Sequence, residues 1–143
     1  MPAARLPRCL RVLVVDDDPN FVRAVVSMLE GDARVEVVGT AANGAEAVVL
    51  VHDLIPDIVL MDINMPVMGG LEATRDITAF RPKTKVVLLT GEADLSGDDV
   101  THAGAAVLLR KDQPLNDLLS VFCDVANLAV ALEPEARARR TPA

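Results

Sequence analysis

The chain of 143 residues has no tryptophan and no tyrosine, and only three phenylalanines. Without tryptophan, the common intrinsic-fluorescence assay needs an engineered reporter. Its two cysteines, Cys9 and Cys123, lie far apart, with no CxxC and no histidine at ligand spacing. Zinc-ligand spacing is therefore missing from the pattern, and the thiols read as reduced and cytosolic, with a disulfide between them as the alternative. No apolar run approaches the ~20 residues of a membrane span. The opening MPAARLPRC carries arginine without an apolar stretch behind it, unlike a secretory signal. Positive charge is also short: the net charge is −7, which argues against nucleic-acid or anionic-membrane binding by this chain.

What is present is apolar and mostly aliphatic, 51% of the chain, enough for one buried core at about one domain's length. Short β-branched runs alternate with helical periodicity. Arg11 to Val15 reads as a strand, followed by Asp18 as a helix cap and Pro19 at the first helical position. The helix bears Phe21, Val22, Val25, Val26, Met28 and Leu29 on an apolar face and stops at Gly31. Val35 to Gly39 is a second strand, and Asn43-Gly44 opens a second helix that ends before Pro56. Ile58 to Met61 is a third strand, with a helix from about Leu71 to Phe80. Lys85 to Thr90 is a fourth strand and Ala106 to Leu109 a fifth. Between them, Glu92 to Gly104 supports only a short, mobile helix with Ser96 as its cap. Pro114 starts a last helix whose wide apolar face, through Leu128 and Leu132, points to a partner surface and leaves a homodimer open. Residues 1–9 read as a flexible lead, 10–132 as one domain and 133–143 as a flexible tail. Five strands alternating with helices imply right-handed crossovers and a parallel sheet covered on both faces.

Polar residues stand where four strands end: Asp16 and Asp17, Asp62, Thr90 and Lys111. In a doubly wound sheet these ends lie side by side, and ligands bind there. Grouped carboxylates with a backbone carbonyl form a hard oxygen site suited to Mg²⁺. A lysine adds a point charge, a threonine adds a donor, and an aspartate can itself attack phosphorus. Simpler readings stand beside this one. Asp18 is explained by capping alone, and Asp16 or Asp17 could cap too. Asp62 could be a strand-end carboxylate paired with Lys111. Met61, Met65 and Met68 read as packing or loop residues, and His52 and His102 as isolated.

The ordered pieces VLVVDDDP, PDIVLMDINMPVMGGLEA, VVLLTGEA and GAAVLLRKD resemble the receiver domain of bacterial two-component response regulators. The resemblance implies a flavodoxin-like (βα)5 fold with strand order 2-1-3-4-5. It further implies Mg²⁺-dependent phosphorylation of Asp62 by a sensor histidine kinase, in the cytoplasm, with no other enzyme activity than slow self-dephosphorylation. By the same resemblance Asp17, Asp62 and the Asn64 carbonyl would bind Mg²⁺, with Asp16 acting through water. Thr90, the Gly91 amide and Lys111 would hold the phosphoryl group, while Asn64 and Glu92 would tune its lifetime. One departure is Leu108, where the family usually has Tyr or Phe three residues before the lysine. A leucine has less bulk and no hydroxyl, so the aromatic relay is expected to be attenuated or replaced. The wording around Asp62 and the Lys111-Asp112 pair resemble regulators with a LuxR-type helix-turn-helix output, which these residues do not include. Two other functions remain on the page: a degenerate receiver used for docking, and a haloacid-dehalogenase-type phosphatase, which the DxD of Asp16 to Asp18 resembles.

Overall fold

A computed structural model describes the chain over residues 9–91, 97–112 and 117–132; side chains at 97–99 and 127–132 fall outside that description. Five strands form one parallel sheet in the order β2-β1-β3-β4-β5. They are β1 (Leu10–Val15), β2 (Val35–Ala41), β3 (Ile58–Asp62), β4 (Lys85–Thr90) and β5 (Val107–Arg110). The helices are α1 (Pro19–Glu30), α2 (Gly44–Leu54), α3 (Gly70–Phe80), α4 (Gly97–Ala103) and α5 (Leu118–Leu132). This is the expected flavodoxin-like order.

The sheet is apolar on both faces because its strand residues alternate between two cores. Leu13, Val15, Val59, Met61, Val86 and Leu88 pack against Ala47 and Val51 of α2, Ala73 and Ile77 of α3, and Val100 of α4. Val12, Val14, Ile58, Leu60, Val87 and Leu89 face the other way, onto Val25 and Leu29 of α1 and Leu118, Phe122 and Val125 of α5. Each four-residue apolar run thus feeds both layers, which is why no strict apolar/polar alternation shows in the sequence.

Local chemistry sets the helix ends. Asp18 accepts from the Asn20 N–H at 3.0 Å, with Pro19 opening α1 as read. Gly31 does end α1, but at φ −73°, so no special backbone freedom is used there. Asn43 Oδ1 accepts from the Glu46 N–H at 2.9 Å, and Glu46 Oε1 accepts from the Ala42 N–H at 2.9 Å. This reciprocal pair is a capping box in all but one residue of register. Asn43→Ala is expected to cost about 1 kcal/mol of stability in urea denaturation. At its other end α2 stops on Ile55 with φ 50°, a left-handed conformation that a β-branched residue rarely takes. Arg11 compensates: its Nη1 donates to the Leu54 and Ile55 carbonyls at 2.7 and 2.8 Å, capping the helix from β1.

Several boundaries differ from the sequence reading. β2 runs on to Ala41, because its last residues pair with Val14 and Val15 of β1 after an irregularity at Val12/Leu13. β5 is shifted one residue, to Val107–Arg110. The predicted fourth helix exists and is short; its proposed cap Ser96 lies outside the described residues, as does Pro114. The side chains of Leu128 and Leu132 are also outside them. Cys9 and Cys123 are free thiols. No helix among the described residues is long and apolar enough to cross a membrane.

Candidate functional site

Parallel strands all deliver their carboxyl ends to one edge of the sheet, so β1, β3, β4 and β5 place their terminal polar residues together. Asp16, Asp17 and Asp62 each offer a carboxylate oxygen, and these oxygens lie within 4.8 Å of one another. Asp62 is the last residue of β3 and is buried, as is Asp16; Asp17 is exposed. Lys111 follows β5 and reaches across: its Nζ is 2.7 Å from Asp16 Oδ2 and 3.5 Å from Asp62 Oδ2. The backbone helps, since the Lys111 N–H donates to the Thr90 carbonyl at 2.9 Å. Thr90, buried at the end of β4, stands beside the same edge. Four of the four strand ends singled out in the sequence therefore converge.

Three close carboxylates repel one another unless a cation is present. Burial pushes the Asp62 carboxyl above the ordinary aspartate range, and the nearby Asp16 charge pushes the same way. Lys111 and the Asn64 N–H oppose them without cancelling the rise. For Lys111, partial burial favours the neutral amine, but the hydrogen bond to Asp16 and the charges of Asp62 and Asp16 outweigh it, so its pKa is raised. Asp16 Oδ1 accepts from the Asp18 N–H at 2.9 Å, while its buried Oδ2 faces the Lys111 ammonium at 2.7 Å. An all-oxygen set of this kind fits a hard divalent cation, and Asp16, Asp17 and Asp62 are the residues that could hold one.

The loop after β3 is shaped by close backbone approach. The Gly70 N–H donates to the Ile63 carbonyl at 2.8 Å, and a Cβ on Gly70 would lie 2.4 Å from the Asp62 carbonyl oxygen. Asn64 is exposed within this loop, and Val67, also exposed, adopts φ 70°. Gly91 is exposed directly after Thr90, with open space around it. Glu92 lies outside the described residues. Leu108 is half-buried in register with Leu88 and packs against the core that includes Val100 of α4. A cavity of about 530 Å³ opens beside the carboxylates, lined by Asp16, Asp17, Arg23, Thr40 and Glu46 among others. A slightly larger one, about 560 Å³, sits at the opposite end of the sheet near Arg11, Asp57 and Arg81, remote from this chemistry. Sequence reading missed Phe21 as a site residue; its ring centroid lies 4.5 Å from Lys111 Nζ. The only signal was an aromatic one turn beyond the acidic triplet, in a chain with few aromatics.

Fold and site together define a receiver domain, the phosphorylation-dependent switch module of two-component signalling. A family model described as the response regulator receiver domain matches residues 12–122, and the chain belongs to that family. It is 44% identical over 104 residues to protein-glutamate methylesterase/protein-glutamine glutaminase 2 of Photobacterium profundum, covering 71% of this chain and 26% of that protein. It is 40% identical over 114 residues to the response regulator GacA of Pseudomonas protegens, covering 79% and 54%, and 36% identical over 129 residues to the transcriptional regulatory protein LnrK of Bacillus subtilis, covering 89% and 59%. The chain thus spans between a quarter and three fifths of these relatives. Among solved structures, the CheY-like receiver domain protein of Methanospirillum hungatei matches with a TM-score of 0.81 at 27% identity, covering 87% of this chain and 99% of its own. The receiver domain of the putative response regulator NarL from Mycobacterium tuberculosis matches at 0.77 and 33%, covering 85% and 98%. The haloacid-dehalogenase reading is not supported: Asp18, the second acid of the DxD, caps α1 instead of joining Asp16 in the pocket.

Proposed function

We propose that Asp62 accepts a phosphoryl group from a sensor histidine kinase and that Asp16, Asp17 and Asp62, with the Asn64 carbonyl, hold Mg²⁺. The observation that carries this reading is the convergence of three carboxylates within 4.8 Å, two of them bridged by Lys111. An Asp62 oxygen attacks the phosphorus of a phosphohistidine; the P–O bond forms as the P–N bond breaks, and the electron pair stays on the imidazole nitrogen. When bound, Mg²⁺ lowers the repulsion between the carboxylate and the incoming phosphoryl oxygens. Lys111 shifts its ion contact to the new phosphoryl oxygen, and Thr90 and the Gly91 amide donate to the others. Water later attacks phosphorus, releasing inorganic phosphate and restoring the Asp62 carboxylate. We assign the setting of that lifetime to Asn64, exposed in the loop after β3, and to Glu92, which lies outside the described residues.

The output is a change in partner affinity, carried through Leu108 and α4 by packing instead of by an aromatic side chain. The effector partner is a separate domain or protein, the site of action is the cytoplasm, and this chain neither binds nucleic acid nor catalyses a further reaction. A second copy of the chain is a candidate partner for α5. Leu108 favours one other reading, a docking module without phosphorylation. Incubation with acetyl phosphate and Mg²⁺, followed by intact mass, separates the two: a hydroxylamine-labile gain of one phosphoryl group supports the switch, and no gain under any condition supports docking. The metal site has its own test. Mg²⁺ at a hundred times its dissociation constant is expected to stabilise the protein by about 2.7 kcal/mol in urea denaturation. Asp17→Asn is expected to remove most of that gain at the same Mg²⁺ concentration.

A further inference from the structure

Phe21 takes no part in the chemistry above, yet its ring meets the Lys111 ammonium. It is the third residue of α1, half-buried against the core that packs α1 and α5 onto the sheet. Lys111 Nζ lies over the ring, 4.5 Å from its centroid, while the same nitrogen contacts Asp16 and Asp62. A lysine stem has four rotatable bonds, and an ammonium left to water would spread over many rotamers. A ring face attracts the ammonium through its quadrupole and asks for no donor–acceptor alignment. The ammonium can therefore change carboxylate partners while staying over the ring. A leucine of similar bulk would fill the same space and offer no such attraction.

We infer that Phe21 is a positioning residue: its ring keeps the Lys111 ammonium beside Asp62 as the ion contact passes from Asp16 to a phosphoryl oxygen. The second half of this rests on Asp62 being the phosphoacceptor; the first half does not. A double-mutant cycle on the metal-free protein tests the first half, using Phe21→Leu, Lys111→Met and the pair in urea denaturation. The unfolding constant is expected to show about fivefold coupling between the two positions, the size of a partly exposed cation–π contact. Phe21→Tyr, which keeps the ring, should retain the coupling. If Phe21→Leu costs the same with lysine or methionine at 111, the ring is core filling alone and the inference fails. For the second half, Phe21→Leu should take phosphoryl from acetyl phosphate about fivefold more slowly at saturating Mg²⁺, and Phe21→Tyr at the rate of the unaltered protein. Equal rates for Phe21→Leu and the unaltered protein would overturn the positioning role. No label even in the unaltered protein would instead overturn the assignment of Asp62, with the cycle still deciding whether the ring holds the ammonium.

Discussion

Asp62→Asn is expected to abolish phosphoryl labelling by acetyl phosphate and, without Mg²⁺, to make the protein more stable. The first effect is chemical. An amide oxygen is not a nucleophile of carboxylate strength, and neither of the other two carboxylates of the cluster is placed to replace it: Asp16 Oδ2 is occupied by Lys111, and Asp17 is exposed beyond it. Label retained in Asp62→Asn would sink the assignment. The second effect follows from linkage. The Asp62 pKa is raised in the folded protein by burial and by Asp16. A raised carboxyl contributes its stability in full below the unfolded value of 3.8 and loses it as pH climbs through the folded value. At neutral pH the ionised carboxylate is therefore a net cost, which asparagine removes, by about 1 kcal/mol. The gap between the two proteins should close on acidification toward the ordinary aspartate value. A stability difference of opposite sign at neutral pH would show that Lys111 dominates the local field.

Gly70→Ala is expected to destabilise the protein by about 3 kcal/mol and to suppress phosphorylation with it. Helix propensity alone predicts the reverse, because alanine in a helix is favoured over glycine by roughly 0.5–1 kcal/mol. Sterics decide. The new Cβ would lie 2.4 Å from the Asp62 carbonyl oxygen, 2.9 Å from Ile63 Cα and 3.1 Å from the Asp62 carbonyl carbon. All three are backbone atoms at the end of β3, so they cannot rotate aside as a side chain would. Either α3 moves off the sheet, opening the core around Ala73 and Ile77, or the end of β3 moves and takes Asp62 with it. Gly91→Ala is the matched control, since a Cβ there meets nothing within 4 Å. Urea denaturation of both variants, with labelling in parallel, separates steric displacement from a general loss of glycine. A Gly70→Ala protein of unchanged stability would mean that the tight approach is not maintained in solution.

Most of the fold was legible because several signals agreed at each boundary. Asp18 and Pro19 marked the start of α1, Asn43 that of α2, and β4 began and ended where its apolar run did. The site was legible for a different reason: Asp62, Thr90 and Lys111 are the wrong residue types for strand ends that need only turn chemistry. What could not be read depended on partners distant in the chain. The extension of β2 to Ala41 exists because β1 offers a ladder for it. The left-handed Ile55 is held by Arg11, 44 residues away, and no local propensity signals it. The meeting of Phe21 with Lys111 joins the first helix to the last strand's end, a contact that helical periodicity assigned simply to the apolar face.

Lys111 also says something about how this protein exists before any signal arrives. With its ammonium 2.7 Å from Asp16 and 3.5 Å from Asp62, the acidic edge is born with a tethered counter-ion. Folding of the nascent chain therefore does not wait for a free divalent ion, because the charge that offsets two of the carboxylates is carried by the chain itself.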